Sequence, residues 1–259
     1  MNVDECKIIN FILGKGGYMI DVGAHKGSSC IPFLKRNWNV LAFEPCTKTR
    51  RTLNLNILNL NLSHLIKVDP RGVSNFSSKS HPIYSSEESS GVTTLTPFLN
   101  SHKIEETIDL VSLRDYFQND DNLKIDFLKI DAEGHDFDVL KGFPFEKCLP
   151  NAIICEFEDK KTLPLGYSWE DMANFLLELD YHVYISEWKQ IQQYGTAHHW
   201  HSLKKYPANL YDENNWGNLI SLRKRPIIPL CVYFYINAFW QSKFMFSFKK
   251  IIKKFLNRK

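Results

Sequence analysis

The chain has 259 residues, 44% of them hydrophobic, and a formal net charge of +3. That apolar content excludes disorder as the dominant state and allows one large α/β domain with additions, or two small domains. The small charge is unevenly placed, because the last segment, KKIIKKFLNRK, is strongly basic.

The first segment, MNVDECKIINFILGKGG, carries acids where a secretion signal needs positive charge, and Lys7, Asn10 and Gly14 break its apolar run. The expectation is a protein that stays in the cytoplasm. Six cysteines, Cys6, Cys30, Cys46, Cys148, Cys155 and Cys231, show no C-x-x-C spacing. They read as reduced thiols. Apolar runs then follow in order: YMIDVG, NVLAFEP, LIKVDP, IDFLKIDA and NAIICEFE. Rich in Ile, Val, Leu and Phe with little alternation, they suit parallel strands buried on both faces. Helices are expected between them over Ser28 to Arg36, Thr47 to Leu60, Ser112 to Phe117, His135 to Leu140 and Trp169 to Leu179. The region Ser74 to Asn100 is rich in serine and reads as a loop or short-stranded insertion. Late runs YHVYISEW and NLISLR would form a hairpin-like pair, the second returning the chain to the sheet edge. The alternation predicts an α/β sheet, mostly parallel, with helices on both faces. Residues 1–225 are expected to form this domain and 226–259 a C-terminal apolar and basic extension.

The stretch MIDVGAHKGS (Met19 to Ser28) reads as a strand, a glycine turn and a helix start. Gly23 and Gly27 permit a sharp turn and a close ligand. The dinucleotide fingerprint is incomplete, since His25 stands at its middle glycine. Asp21, at the strand end, would repel a phosphate but could receive an ammonium group, directly or through water. Glu44, at the end of LAFEP and about 20 residues after the turn, is placed to accept hydrogen bonds from both hydroxyls of a ribose. Turn and acid together point to a bound nucleoside.

These residues, with LAFEPCTKTRRTLNLNI and above all IDFLKIDAEGHDFDVLKG, resemble the S-adenosylmethionine-dependent methyltransferases of the FkbM family. The resemblance spans about Ile20 to Glu158. It implies a Rossmann-like class I methyltransferase fold with a seven-strand sheet and methyl transfer to an oxygen, often a sugar or polyketide hydroxyl. It further implies that Asp21, Gly23, Ala24 and Gly27 hold the methionine part of the cofactor and Glu44 its ribose. His25 is assigned backbone contacts only.

In KIDAEGHD, Asp131 and Glu133 stand one residue apart as the strand ends, so both carboxylates can face the opening above the sheet. Asp131, which also counts among the cofactor contacts, is the first candidate for a group that takes a proton from the acceptor hydroxyl or positions it. Glu133 is the second. Either could instead cap the helix beginning near His135. Glu156, at the end of IICEFE, could join the same opening. Three carboxylates would suit a divalent cation, but no compact ligand motif is present and no metal ligand is assigned.

Farther on, Trp188, Tyr194, His198, His199, Trp200 and His201 mix rings with polar groups. This stretch is read as acceptor recognition or a lid, with surface and loop packing as the alternative, and the resemblance implies a glycan as the acceptor class. In the tail, PIIPLCVYFYINAFW is short for a bilayer span and is interrupted by Pro229 and Asn237. Phe244, Phe248, Ile251, Ile252 and Phe255 recur at three- and four-residue steps among Lys249, Lys250, Lys253 and Lys254, a pattern suited to peripheral contact with the inner membrane surface, to packing on the domain or to a partner subunit. Nucleic acid is not expected as a partner, because the basic residues gather on the tail. On residues alone, a nicotinamide (NAD) oxidoreductase and a non-catalytic nucleoside-binding assembly component stay open as alternatives.

Overall fold

The structure, a computed structural model, describes residues 3–86, 93–192, 196 and 198–241. The basic pattern from Phe244 to Phe255, and Tyr194, lie outside the described residues.

Among the described residues, twelve strands and eight α-helices follow one another. Strand β1 is Gly17–Val22, β2 Trp38–Phe43, β3 Ile66–Asp69, β4 Gly72–Ser74, β5 Ser78–Ser85 and β6 Thr93–Thr94. Then come β7 Lys103–Ser112, β8 Phe127–Ile130, β9 Ala152–Phe157, β10 His182–Trp188, β11 Trp200–Lys205 and β12 Trp216–Leu222. Helices are α1 Glu5–Leu13, α2 Ile31–Leu34, α3 Thr47–Asn59, α4 Leu113–Tyr116, α5 Asp136–Lys141, α6 Asp159–Thr162, α7 Trp169–Glu178 and α8 Leu230–Gln241.

The large sheet has eight strands in the order β11-β10-β12-β9-β8-β1-β2-β3. From β3 to β9 every pairing is parallel, whereas β12 is antiparallel to both neighbours and β11 to β10. This corrects two expectations. The sheet has eight strands rather than seven, because Trp200–Lys205 adds an edge strand, and β12 lies inside the sheet between β9 and β10 instead of at its edge. A polar, aromatic sequence hid β11, whose burial is mostly partial. The helix expected over Ser28 to Arg36 is confined to α2, since the turn from Gly23 continues almost to Pro32.

Both sheet faces are covered. On one, Ile20, Val22, Leu128, Ile130, Ile153 and Leu219 pack with Leu140 of α5 and Met172 and Leu176 of α7. On the other, Met19, Val40, Phe127, Ile154 and Ile220 pack with Ile9 of α1, Phe33 of α2, Leu53 of α3 and Phe234 of α8. The insertion contributes to a second sheet, β4-β7-β5-β6, which lies beside the carboxyl ends of the parallel strands. Helix α1 begins at Asp4, whose carboxylate accepts the Lys7 backbone N–H at 2.9 Å. The six cysteines form no disulfide. Among the described residues, no helix is long and apolar enough to cross a membrane.

Candidate active site

Parallel strands end together, so the turns following β1, β2, β8 and β9 meet at one rim, where ligands bind in folds of this kind. A cavity of ≈ 470 Å³ opens there, within the range of small-molecule sites. Its lining includes Gly23, Ala24, His25, Glu44, Asp131 and Glu133, together with Glu156, Trp188, Trp216 and Asn218.

The glycine turn is tied to its neighbours through the backbone. Gly23 N–H and Ala24 N–H both donate to the Phe43 carbonyl, at 3.0 and 3.1 Å, and Asp131 N–H donates to the Val22 carbonyl at 3.1 Å. Gly23 has φ +75°, and a Cβ there would stand 2.0 Å from the Asp131 carbonyl oxygen. Only glycine lets β1 and β8 approach so closely. Gly27 is needed for another reason, because a Cβ would press on Leu53 and Ile31 behind the turn; it shapes the turn without lining the cavity.

Glu44 is held at both oxygens. His25 N–H donates to Oε2 at 2.8 Å and Cys46 N–H to Oε1 at 3.0 Å, which leaves each oxygen a second lone pair for a ligand hydroxyl. Burial pushes its carboxyl up to about 7 against these two bonds.

Asp21 stands behind the lining and is fully buried. Ser29 Oγ, on the cavity wall, donates to its Oδ2 at 2.5 Å, while Oδ1 has no hydrogen-bond partner. Burial raises the Asp21 carboxyl, opposed by Lys129. Lys129 stands inside the apolar run of β8, where no local pattern gives it a role. Its place opposite Asp21 follows from strand register, and its ammonium donates to Asp131 Oδ2 at 2.8 Å. Burial works against that charge, but Asp131 and Asp21 hold it firmly above the usual lysine value. In return, burial would raise the Asp131 carboxyl, yet the Lys129 ammonium outweighs it and holds Asp131 below the ordinary range.

Glu133 adopts φ +51° and its carbonyl accepts from Thr94 Oγ1 of β6 at 3.1 Å. Its carboxylate, Glu156 and Glu158 converge on Lys161 at 2.7, 3.4 and 2.9 Å. An ammonium therefore sits among the three acids, and among the described residues no group of His, Cys, Asp or Glu is arranged to hold a metal ion. Burial raises both the Glu133 and the Glu156 carboxyls despite Lys161. The helix-capping alternative applies to neither Asp131 nor Glu133: Asp136 instead accepts Ala132 N–H at 3.1 Å and Glu156 N–H at 3.0 Å, clamping the ends of β8 and β9. Burial, with Asp131 nearby, pushes Asp136 up to about 7.

The far wall comes from distant parts of the chain. Glu5 Oε1 accepts from Ser186 Oγ at 2.8 Å, Trp188 Nε1 at 2.7 Å and Asn218 Nδ2 at 3.4 Å. Trp188 stacks on Trp216, centroids 5.6 Å apart. The aromatic stretch thus divides. Trp188 faces the cavity and His198 packs edge-on against Trp216, whereas Trp200 is buried against Phe234 and His201 lies on Tyr211. Glu5, Lys161 and Asn218 carried no local signal, since each is polar in an unremarkable stretch and acquires its place through a remote partner.

The methyltransferase FkbM domain matches residues 21–183. Among solved structures, the FkbM methyltransferase from Methylobacillus flagellatus is 18% identical with a TM-score of 0.47; the match covers 80% of this chain but 43% of that one. A Streptococcus mutans protein solved in complex with SAH is 11% identical with a TM-score of 0.45, covering 84% and 95% of the two chains. TehB from Haemophilus influenzae gives 9% and 0.48, covering 85% and 62%. No curated protein matches the chain. The domain match, spanning more than half of the sequence and carrying the glycine turn, Glu44 and the KIDAEG segment, decides against the oxidoreductase: the chain belongs to the FkbM family of S-adenosylmethionine-dependent methyltransferases.

Proposed function

We propose that the protein methylates a hydroxyl oxygen of a sugar, in a glycan or a related small molecule. The observation that carries this reading is a single cavity that joins Glu44 and the glycine turn to a wall of Trp188, Trp216 and Asn218 by way of Asp131, Glu133 and Glu156. Flat rings beside hydrogen-bonding groups suit a sugar, whose faces are apolar and whose rim is hydroxylated.

The residues fit the cofactor. Glu44, with a lone pair left on each oxygen, would accept the ribose hydroxyls, and the buried Asp21 oxygen without a partner would receive the ammonium through water. Gly23 and Ala24 would let the methionine part lie against the backbone, with Gly27 shaping the turn. S-adenosylmethionine supplies a methyl group on a positively charged sulfur, so an acceptor oxygen needs to be held in line and relieved of its proton. Asp131, kept ionised by Lys129, is suited to hold the acceptor hydroxyl. Glu133, whose burial raises its proton affinity, is suited to take the proton. Work on lipid-linked glycans at the cytoplasmic face of the membrane would agree with this reading.

Titration calorimetry with S-adenosylmethionine, S-adenosylhomocysteine and NAD tests the cofactor half. Binding of the two sulfur compounds alone, abolished in Glu44→Ala, is the expected result; binding of NAD, or of neither class, would overturn it. With a sugar acceptor found by screening for release of S-adenosylhomocysteine, Asp131→Asn is expected to lower turnover well over tenfold while cofactor binding persists.

A further inference from the structure

Helix α8 has two apolar sides and only one of them is covered. Leu230, Phe234 and Ala238 are buried and hold the helix on β11 and α1, with Phe234 against Trp200. On the opposite side, Val232, Tyr235 and Ile236 are 40%, 59% and 51% exposed, at the three- and four-residue steps that form one stripe. Ile227 and Ile228 extend the stripe ahead of the helix, and Phe11 of α1, itself exposed, adjoins it through Tyr233.

Beyond Glu213 the charge flanking α8 in the sequence has one sign. No Asp or Glu follows Glu213, while ten Lys and Arg do. Lys224 and Arg225, both exposed, precede the helix. Seven more basic residues follow it in the sequence, from Lys243 to Lys259. We propose that the outer face of α8 lies in the interface of an anionic membrane, with Val232, Tyr235 and Ile236 entering the lipid and Lys224 and Arg225 meeting the headgroups.

Charge complementarity selects this occupant. A second copy would bring like charges together, and a nucleic acid would neutralise the charges while leaving the isoleucines and valine in water. An anionic bilayer satisfies both. The contact is in-plane, since no helix among the described residues is able to span. It also bears on the site. Asp4 N–H donates to Asn237 Oδ1 of α8 at 3.1 Å, and Asp4, Glu5 and Cys6 line the cavity, so the docking helix adjoins the cavity wall. This inference rests on the reading of a glycan acceptor in one respect: membrane residence brings a lipid-linked glycan to the opening.

The test is co-sedimentation of the full chain with vesicles of equal parts phosphatidylglycerol and phosphatidylcholine, and with phosphatidylcholine alone. Binding is expected to the mixed vesicles only, and to fall as salt rises. One basic residue near an anionic surface is worth about fivefold in partitioning, so Lys224→Gln/Arg225→Gln is expected to weaken binding about thirtyfold. Tyr235→Ser/Ile236→Ser is expected to weaken it at every salt concentration. No binding by the unaltered chain, equal binding by all three proteins, or self-association that the serine variant abolishes would overturn the proposal. Calorimetry with S-adenosylmethionine on the same preparations separates the two readings. Intact cofactor binding without vesicle binding defeats the membrane contact alone, and absent cofactor binding in the unaltered chain defeats the site.

Discussion

The two halves of the cavity are built in different ways. In the half proposed to hold the cofactor, polar groups are met by the backbone at the strand ends and in the turns that follow them: Glu44 by His25 and Cys46, the turn at Gly23 by Phe43, Asp131 by Val22. In the half proposed to hold the acceptor, side chains meet side chains across most of the sequence, with Glu5 accepting from Ser186, Trp188 and Asn218. The backbone contacts are fixed by the fold itself, so the cofactor half tolerates little change. The side-chain contacts of the acceptor half can be rebuilt on the same sheet, which is where a family that keeps one cofactor would vary its acceptor.

If the cofactor half is as rigid as this implies, the largest effect should come from Lys129→Met. The substitution keeps much of the buried stem but leaves Asp21 and Asp131 on adjacent strands without the ammonium between them. Removing one partner of a buried pair costs about 3–5 kcal/mol, which denaturant unfolding would register as a large fall in midpoint. Asp131→Asn should cost less, because Lys129 keeps Asp21. An unchanged midpoint in Lys129→Met would mean that the strand ends are held by the backbone alone.

A second effect distinguishes binding from stability in the same half. The Glu44 carboxyl lies at about 7 in the folded protein against 4.5 for the ordinary value. A raised carboxyl binds its proton more tightly when folded, so the stability it contributes is fully present below about 4.5 and is lost as the pH rises through about 7. Cofactor binding should run the other way. Ribose hydroxyls need the ionised form as acceptor, so affinity for S-adenosylmethionine should fall by up to about tenfold per pH unit below 7. Glu44→Gln is expected to remove this dependence and, at pH 8, to weaken binding about ten- to a hundredfold, the value of a hydrogen bond to a charged group. An affinity independent of pH in the unaltered protein would show that Glu44 does not meet the ribose.

How far the sequence could be read follows the same division. Gly23, Glu44 and the Asp131 and Glu133 pair were legible because each follows an apolar strand at a fixed offset, and parallel strands bring such offsets to one rim. Lys129 was in plain view as a charge inside an apolar run, a pattern that signals a buried partner, but the partner on β1 depends on register. Strand β11 was missed because an edge strand beside a loop needs no apolar alternation. The position of β12 was misjudged because inserting a strand between β9 and β10 is a matter of topology, on which local pattern is silent. Locally Glu5 offers only a charge unsuited to a signal segment, since its partners lie 181 to 213 positions away.

Glu5 also gives the smallest effect and the sharpest separation of the halves. All three of its side-chain donors converge on a single oxygen, Oε1. Glutamine offers a carbonyl oxygen in the same place, so Glu5→Gln keeps the acceptor and discards only the charge. Burial raises the Glu5 carboxyl above its usual value; its contribution to stability is therefore present below the unfolded value of 4.5 and lost as the pH rises through the folded one. Glu5→Gln should then leave S-adenosylmethionine affinity unchanged and alter stability by less than about 1 kcal/mol near pH 4, while holding its stability better than the parent as the pH rises. Glu5→Ala should differ, since it leaves the donors of Ser186 and Trp188 buried and unpaired at about 1–3 kcal/mol. A cofactor affinity that dropped with Glu5→Gln would show the two halves to be coupled through α1, and the division between a fixed cofactor half and a replaceable acceptor half would fail.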